Sequence, residues 1–178
     1  MSVKFNPKLI TLAVLSANLM PAAAFAETQA AQTETIEVIS TTPLQGVGLP
    51  LNRIPSAIQT VKGEEIAEQK STSIADFMNN NLMGVSVNET QNNPYQPDIL
   101  FRGFTASPLL GTPQGLSVFI DGVRVNEPFG DAVNWDLIPI NAISGMNLIP
   151  GSNPIFGLNT LGGAISVVTK NGRTHQGG

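Results

Sequence analysis

The amino-acid sequence predicts an α+β fold: a small mixed β-sheet with short helices and long loops, preceded by a disordered tail. Three observations carry this expectation. The chain sets 17 glycines and 13 prolines against a charged fraction of only 12%, a composition that favours turns and glycine-tolerant strands over long amphipathic helices. Short β-branched runs such as Ile165, Ser166, Val167, Val168 and Thr169 lie between Gly, Pro, Asn and Asp, the pattern of strands between turns. Finally, the polar and aperiodic residues 27–53 give way near Ile54 to segments with a clear apolar period. The 178 residues leave room for one domain with a worthwhile core and not for two large ones.

At the start, Lys4 and Lys8 precede an apolar stretch from Leu9 to Met20, and Ala24, Phe25 and Ala26 follow. A positive start, a short apolar run and the small residues Ala24 and Ala26 at the positions a signal peptidase reads define a secretory signal, with cleavage expected after Ala26. The apolar run of about a dozen residues falls short of the ~20 that a membrane-spanning helix needs. Removing residues 1–26 takes away two positive charges and no acid, moving the net charge from −4 to −6, with 13 acidic residues retained.

Residues 27–53 are expected to form a flexible tail. Within it Glu34, Thr35, Ile36, Glu37, Val38 and Ile39 form one β-prone exception, with Ile36 and Val38 on one face of an extended chain and Thr35, Glu37 and Ile39 on the other. Such a strand has no sheet of its own.

The folded part, residues 54–170, begins with a strand at Ser56 to Val61, followed by Lys62 and Gly63 as a turn and an acid-led helical turn from Glu64 to Gln69. Ser73 with Asp76 three residues on starts a second helix through Phe77 and Met78, stopped by Asn79, Asn80 and Asn81. Val85 and Val87 alternate with polar residues in a half-buried strand. Residues 90–98 form a loop, and residues 99–104, with Arg102 and Gly103, follow it. The Asp121 and Gly122 pair between two alternating runs specifies a tight hairpin. A short helical turn over 138–143 leads to a strand at Met146 to Ile149 that ends at Pro150 and Gly151. Residues 153–170 then carry turn chemistry, Gly157, and the glycines Gly162 and Gly163 where the backbone must bend or be closely approached, ending in the strand 165–169. Residues 171–178 are a polar end with the lone His175, expected to be exposed.

Composition also excludes functions. Lys and Arg are scattered singly on an acidic chain, so there is no footprint for a phosphate backbone and nucleic acid is not an expected partner. Without cysteine there are no disulfides or thiolate metal sites. One terminal histidine, no serine nucleophile elbow and no metal-ligand spacing leave no catalytic or metal residues to nominate, so no enzyme is expected. Leu161, Gly162 and Gly163 lack the lysine and spacing of a phosphate loop, and no cofactor is expected. Glu127, Asp131 and Asp136 lie together in a loop, but their spacing is not that of an EF-hand, and turn-forming acids are the commoner explanation.

Residues 153–170 resemble the C-terminal signature of the plug domain of TonB-dependent outer-membrane receptors, where Tyr/Phe-Gly, a small loop and Leu-Gly-Gly-x-Ile/Val-x-Ile/Val-x-Thr-Lys close the plug. The resemblance continues at 99–104, similar to the strand Ile-x-Ile-Arg-Gly-Phe and so expected to be one strand here, at 118–123, similar to Val-x-Ile-Asp-Gly-Val, and in the opening strand, two short helices and Gly-Val-x-Val. It marks Arg102, Gly103, Asp121, Gly122, Gly157, Gly162 and Gly163 as plug-motif residues. Arg102 would then either latch the plug to carboxylates of a surrounding barrel or bind loop carbonyls or Asp98, since a buried arginine needs a partner. Residues 34–39 resemble the TonB box, the peptide that pairs edge to edge with TonB, and β-augmentation suits it because main-chain hydrogen bonds supply the affinity. Asn147 and Pro150 depart from the family, which usually has Glu and Arg there.

The resemblance implies a module that gates a barrel, senses an iron chelate or similar nutrient, and contacts the periplasmic domain of TonB at the outer membrane. The expected ligand-facing loops are 90–98, 105–115 and 126–135. A 22-stranded β-barrel would need upwards of ~200 residues, so the chain is expected to be a truncated product, a fragment or half of a split receptor, with residues 171–178 as the linker toward the absent barrel. A plug alone cannot carry solute across a membrane. The alternative is a free-standing periplasmic plug-like binding or adaptor protein.

Overall fold

The computed structural model describes residues 38–40, 48–50, 55–89, 91–173 and 175. The secretory signal with Ala24 and Ala26, and Glu34, Thr35, Ile36 and Glu37 of the tail, lie outside the described residues. Val38 and Ile39 fall in strand β1 (Val38–Ser40), which pairs antiparallel with β2 (Gly48–Pro50), Ile39 opposite Leu49. The extended segment therefore has a partner within the chain, three residues long.

The remaining elements are β3 (Gln59–Lys62), α1 (Gly63–Gln69), α2 (Ile74–Asn81), β4 (Val85–Asn88), β5 (Asp98–Phe101), β6 (Phe104–Ala106), β7 (Leu116–Ile120), β8 (Val123–Arg124), β9 (Ile143–Pro150) and β10 (Gly163–Thr169), with 3-10 turns at Trp135–Leu137, Ile140–Ala142 and Pro154–Phe156. One sheet has the order β3-β9-β10-β7-β8 and another β4-β5-β6. Strand β10 is central, parallel to β7 and antiparallel to β9, with Ile165 opposite both Val118 and Leu148.

Side chains alternate across a strand, and the register turns that alternation into two layers. Val118, Leu148 and Ile165 are fully buried on one face, in one core with Phe77 and Met78 of α2 and Ile99 and Phe101 of β5. Phe119, Ile149 and Ala164 lie on the other face, packed with Phe156. Each large apolar side chain so buried contributes about 1.5–3 kcal/mol, and β10 feeds both layers.

The second helix forms as its sequence dictates: Ser73 Oγ accepts from the Asp76 amide at 3.1 Å, and Ile74, Phe77 and Met78 recur on the buried face. The first helix starts earlier than expected. Lys62 ends β3 and Gly63 begins α1 with no turn between, because Gly63 packs on the backbone of β9, where a Cβ would lie 2.6 Å from the Ile143 carbonyl. The opening strand starts only at Gln59, since the Ile58 amide bonds the Ser56 carbonyl at 2.9 Å and turns the chain. The strand expected over 99–104 is two strands. Arg102 and Gly103 take φ of 51° and 87°, a two-residue reversal that puts Phe104 opposite Phe101. Strand β9 is longer than the expected 146–149, running from Ile143 to Pro150.

Candidate functional site

Because β7 and β10 are parallel, both start at one end of the sheet, and the loops 107–115 and 151–162 that lead into them meet there. Loop 125–134 joins them: the Asn126 side-chain amide donates to the Leu116 carbonyl at 3.0 Å, and its Oδ1 accepts from the Val118 amide at 2.7 Å. The amides of Leu161 and Gly162 both donate to the Gly115 carbonyl, at 3.0 and 2.9 Å. At the other end, across about 20 Å of strand, lie the Asp121 turn and Thr169.

Asp131 is the knot of the loop end. Its Oδ1 accepts from Arg124 Nη2 at 3.0 Å, and its Oδ2 from Asn159 Nδ2 at 2.5 Å. Arg124 Nη2 also donates to the Leu158 carbonyl at 2.9 Å, so one ion pair ties loop 125–134 to loop 151–162 and both to β8. Asp131 and Asn159 hold φ of 53° and 58°, a region that Asp and Asn enter more readily than other side chains. Glu127 accepts from Asn134 at 2.6 Å, and Asp136 is exposed. Among the described residues no group of three or more His, Cys, Asp or Glu is placed to hold a metal ion, and two of the three acids in this stretch have structural partners.

The glycines of the C-terminal motif make room here. A Cβ on Gly162 would overlap Cβ and Cγ of Phe104, and one on Gly115 would lie 2.7 Å from its ring. Gly163, at φ 149°, faces the Ile149 carbonyl closely enough to exclude any side chain. Gly157, at φ 92°, sits beside Arg124. Around this scaffold apolar side chains are left in solvent: Leu110 is 58% exposed, Phe129 79%, Leu158 85% and Leu161 53%.

At the far end Asp121 clasps the end of β10. Its carboxylate accepts from the Thr169 amide at 2.8 Å and the Thr169 hydroxyl at 2.6 Å, while its own amide donates to Val167. Asp121 and Gly122 form the expected hairpin turn, with φ of 50° and 83°. Arg102 is not buried as expected. It is exposed at the β5–β6 turn, with its guanidinium 5.2 Å from the Phe101 ring centroid, and the reversal itself puts the side chain in solvent. Asp98 accepts a hydrogen bond from Ser107.

The structure brings together two of the three loops expected to face a ligand, 105–115 and 126–135. Of the third, Asp98 bonds to Ser107 at the start of loop 107–115, and Tyr95 lines a cavity beside Thr72, Ser73 and Trp135. Loop 151–162 takes the third place; its glycines marked it as structural, and nothing in its spacing told that it would lie against Asp131. On the sheet, Asn147 lies opposite Thr60, and Asn147 Oδ1 and Thr60 Oγ1 are buried without hydrogen-bond partners.

Mixed sheets with two short helices are the architecture of a receptor plug. The TonB-dependent Receptor Plug Domain family matches residues 50–164, and the chain belongs to that family. The vitamin B12 transporter BtuB of Vibrio vulnificus is 26% identical over 159 residues, covering 89% of this chain and 24% of that protein. BtuB of Photobacterium profundum is 28% identical over 121 residues, covering 67% of this chain and 18% of that protein. The chain thus spans under a quarter of the length of these curated relatives. Among solved structures, P. aeruginosa FpvA bound to heterologous pyoverdines superposes with a TM-score of 0.56 at 17% identity, over 75% of this chain and 16% of that one. The alcaligin outer membrane receptor FauA of Bordetella pertussis gives 0.54 at 19%, over 76% and 21%. These two are likenesses of fold. Among the described residues no helix is long and apolar enough to cross a membrane.

Proposed function

We propose that this chain is the plug module of a TonB-dependent outer-membrane receptor for an iron chelate or similar nutrient, gating a 22-stranded barrel and sensing the ligand at its loop end. The observation that carries the reading is the joining of three loops at the end of the sheet opposite Thr169, through Asp131 with Asn159 and through the Gly115 and Ser107 carbonyls, with apolar side chains left in solvent around them. Ligand contact at that end and connection to the following chain at the other are thereby separated along one sheet. The relatives' names, which include a vitamin B12 transporter and an alcaligin receptor, support a metal-chelate nutrient. Residues 34–39 are the segment that TonB engages by strand addition, replacing or adding to the three-residue pairing of β1 with β2.

The test is a titration of residues 27–178 with the periplasmic domain of TonB, repeated with Ile36→Pro, which removes a ladder donor. Binding that weakens at least about tenfold in the variant, or about 1.4 kcal/mol, is the expected result. Equal affinities, or no binding by the parent chain, refute the TonB-engaging segment. Retained ligand capture without TonB binding is the behaviour of a free-standing adaptor.

A further inference from the structure

We infer that the loop end takes a ligand with no net negative charge that presents a hydrocarbon or amide surface, a neutral or cationic metal chelate rather than a polyanionic one. The inference rests on the proposed role of this end as the ligand-sensing surface and names its substrate class. The loops 107–115, 125–134 and 151–162 contain no lysine, arginine or histidine. The cation at their base, Arg124, is engaged by Asp131, the Leu158 carbonyl and Asn126. The charges the loops themselves contribute are the carboxylates of Glu127 and Asp131.

The side chains that project instead are apolar. Phe129 is 79% exposed and Leu158 85%, and these two belong to the loops joined by the Asp131 and Asn159 contact. Leu110 belongs with them, since a Cβ on Gly130, next to Phe129, would lie 2.8 Å from its Cδ2. A ligand settling on this end loses water from its own charges. A polyanion finds no lysine, arginine or histidine in these three loops to replace that water and meets the carboxylate of Glu127, since that of Asp131 is paired with Arg124, so its approach is opposed. A neutral chelate with a hydrocarbon or amide exterior loses little and covers Phe129 and Leu158.

The experiment is equilibrium dialysis of residues 27–178, at low ionic strength, against two iron complexes of similar size, a neutral ferric trihydroxamate and a trianionic ferric tricatecholate. Bound iron is read by mass spectrometry. The neutral complex is expected to bind at least about tenfold more tightly, and Phe129→Ala to weaken it about three- to tenfold. Leu158→Arg, at a solvent-exposed side chain whose structural bond is made by its backbone carbonyl, is expected to narrow or reverse the preference. Equal or tighter binding of the trianion by the parent chain, weakened by Phe129→Ala, overturns the ligand class while leaving the loop end as the sensing surface. If neither complex binds, the inference falls, and the TonB titration judges the plug reading separately. Neutral binding that neither substitution alters also overturns it, because the ligand then sits elsewhere.

Discussion

Removing Asp131 should loosen the loop end by an amount that its contacts allow to be worked out. In Asp131→Ala the Arg124 pair is lost, and with side chains 26% and 22% exposed it contributes only about 1 kcal/mol after solvent screening. The bond from Asn159 to a charged oxygen adds about 1.5 kcal/mol. Alanine held at φ 53° adds about 1 kcal/mol of backbone cost. The expected total of about 3.5 kcal/mol corresponds to a fall of about 2.3 M in the urea midpoint, for a slope of about 1.5 kcal/mol per M. Two further variants separate the contributions. Asp131→Gly relieves the backbone cost and should recover about 1 kcal/mol relative to alanine. Asp131→Asn keeps an acceptor for Arg124, and Asn159 can turn its amide to restore the second bond, so it should cost only about 1 kcal/mol. Urea unfolding of the purified chain followed by circular dichroism measures all three. If the alanine and glycine variants both stay within about 0.5 kcal/mol of the parent, the loops are not held by Asp131 and the knot as described is wrong.

Three other outcomes follow from contacts elsewhere. Alanine at Gly163, which meets the Ile149 carbonyl at φ 149°, should destabilise more than alanine at Gly162, which meets Phe104, while alanine at Gly172, with open space around it, should be neutral; the first two should cost about 2–4 and 1–3 kcal/mol by urea unfolding. Thr60→Val removes a buried hydroxyl that has no partner and should raise stability by about 1 kcal/mol, so a loss of that size would show that the hydroxyl has a partner in solution. Asp121→Asn leaves one oxygen to hold Thr169 in place of two; hydrogen exchange at the Thr169 amide should quicken about tenfold, with amides in the middle of β10 unchanged.

The strands legible in the sequence are those whose alternation matches one buried face. Val118, Leu148 and Ile165 sit opposite one another because each belongs to a run of period two, and that period survives in the register. The Asp121 and Gly122 turn was legible because Asp and Gly accept positive φ and say so by their identity. Arg102 and Gly103 adopt the same reversal at 51° and 87°, but arginine carries no such signal, so a run of apolar residues interrupted by Arg-Gly reads as one strand. The start of α1 was hidden for a different reason: Gly63 is small because β9 crosses it, a contact 80 residues away in sequence, while locally Lys-Gly has the look of a turn.

The loop end shows why a site can be rich in chemistry-bearing residues and still be architecture. Asp131 and Asn159 occupy left-handed positions, and the side chains that enter that region most readily after glycine are also good hydrogen-bond acceptors and donors. A loop that must turn sharply therefore collects Asn and Asp for backbone reasons. Once they are there, placing Arg124 between Asp131 and the Leu158 carbonyl ties loops 125–134 and 151–162 to each other and to β8. The side chains of Asp131, Asn159 and Arg124 are engaged in that joining, and the apolar side chains of Leu110, Phe129, Leu158 and Leu161 stand exposed around them. A search for function by polar residue type alone finds the frame of this surface, and the exposed hydrophobic side chains are where the proposed ligand would be met.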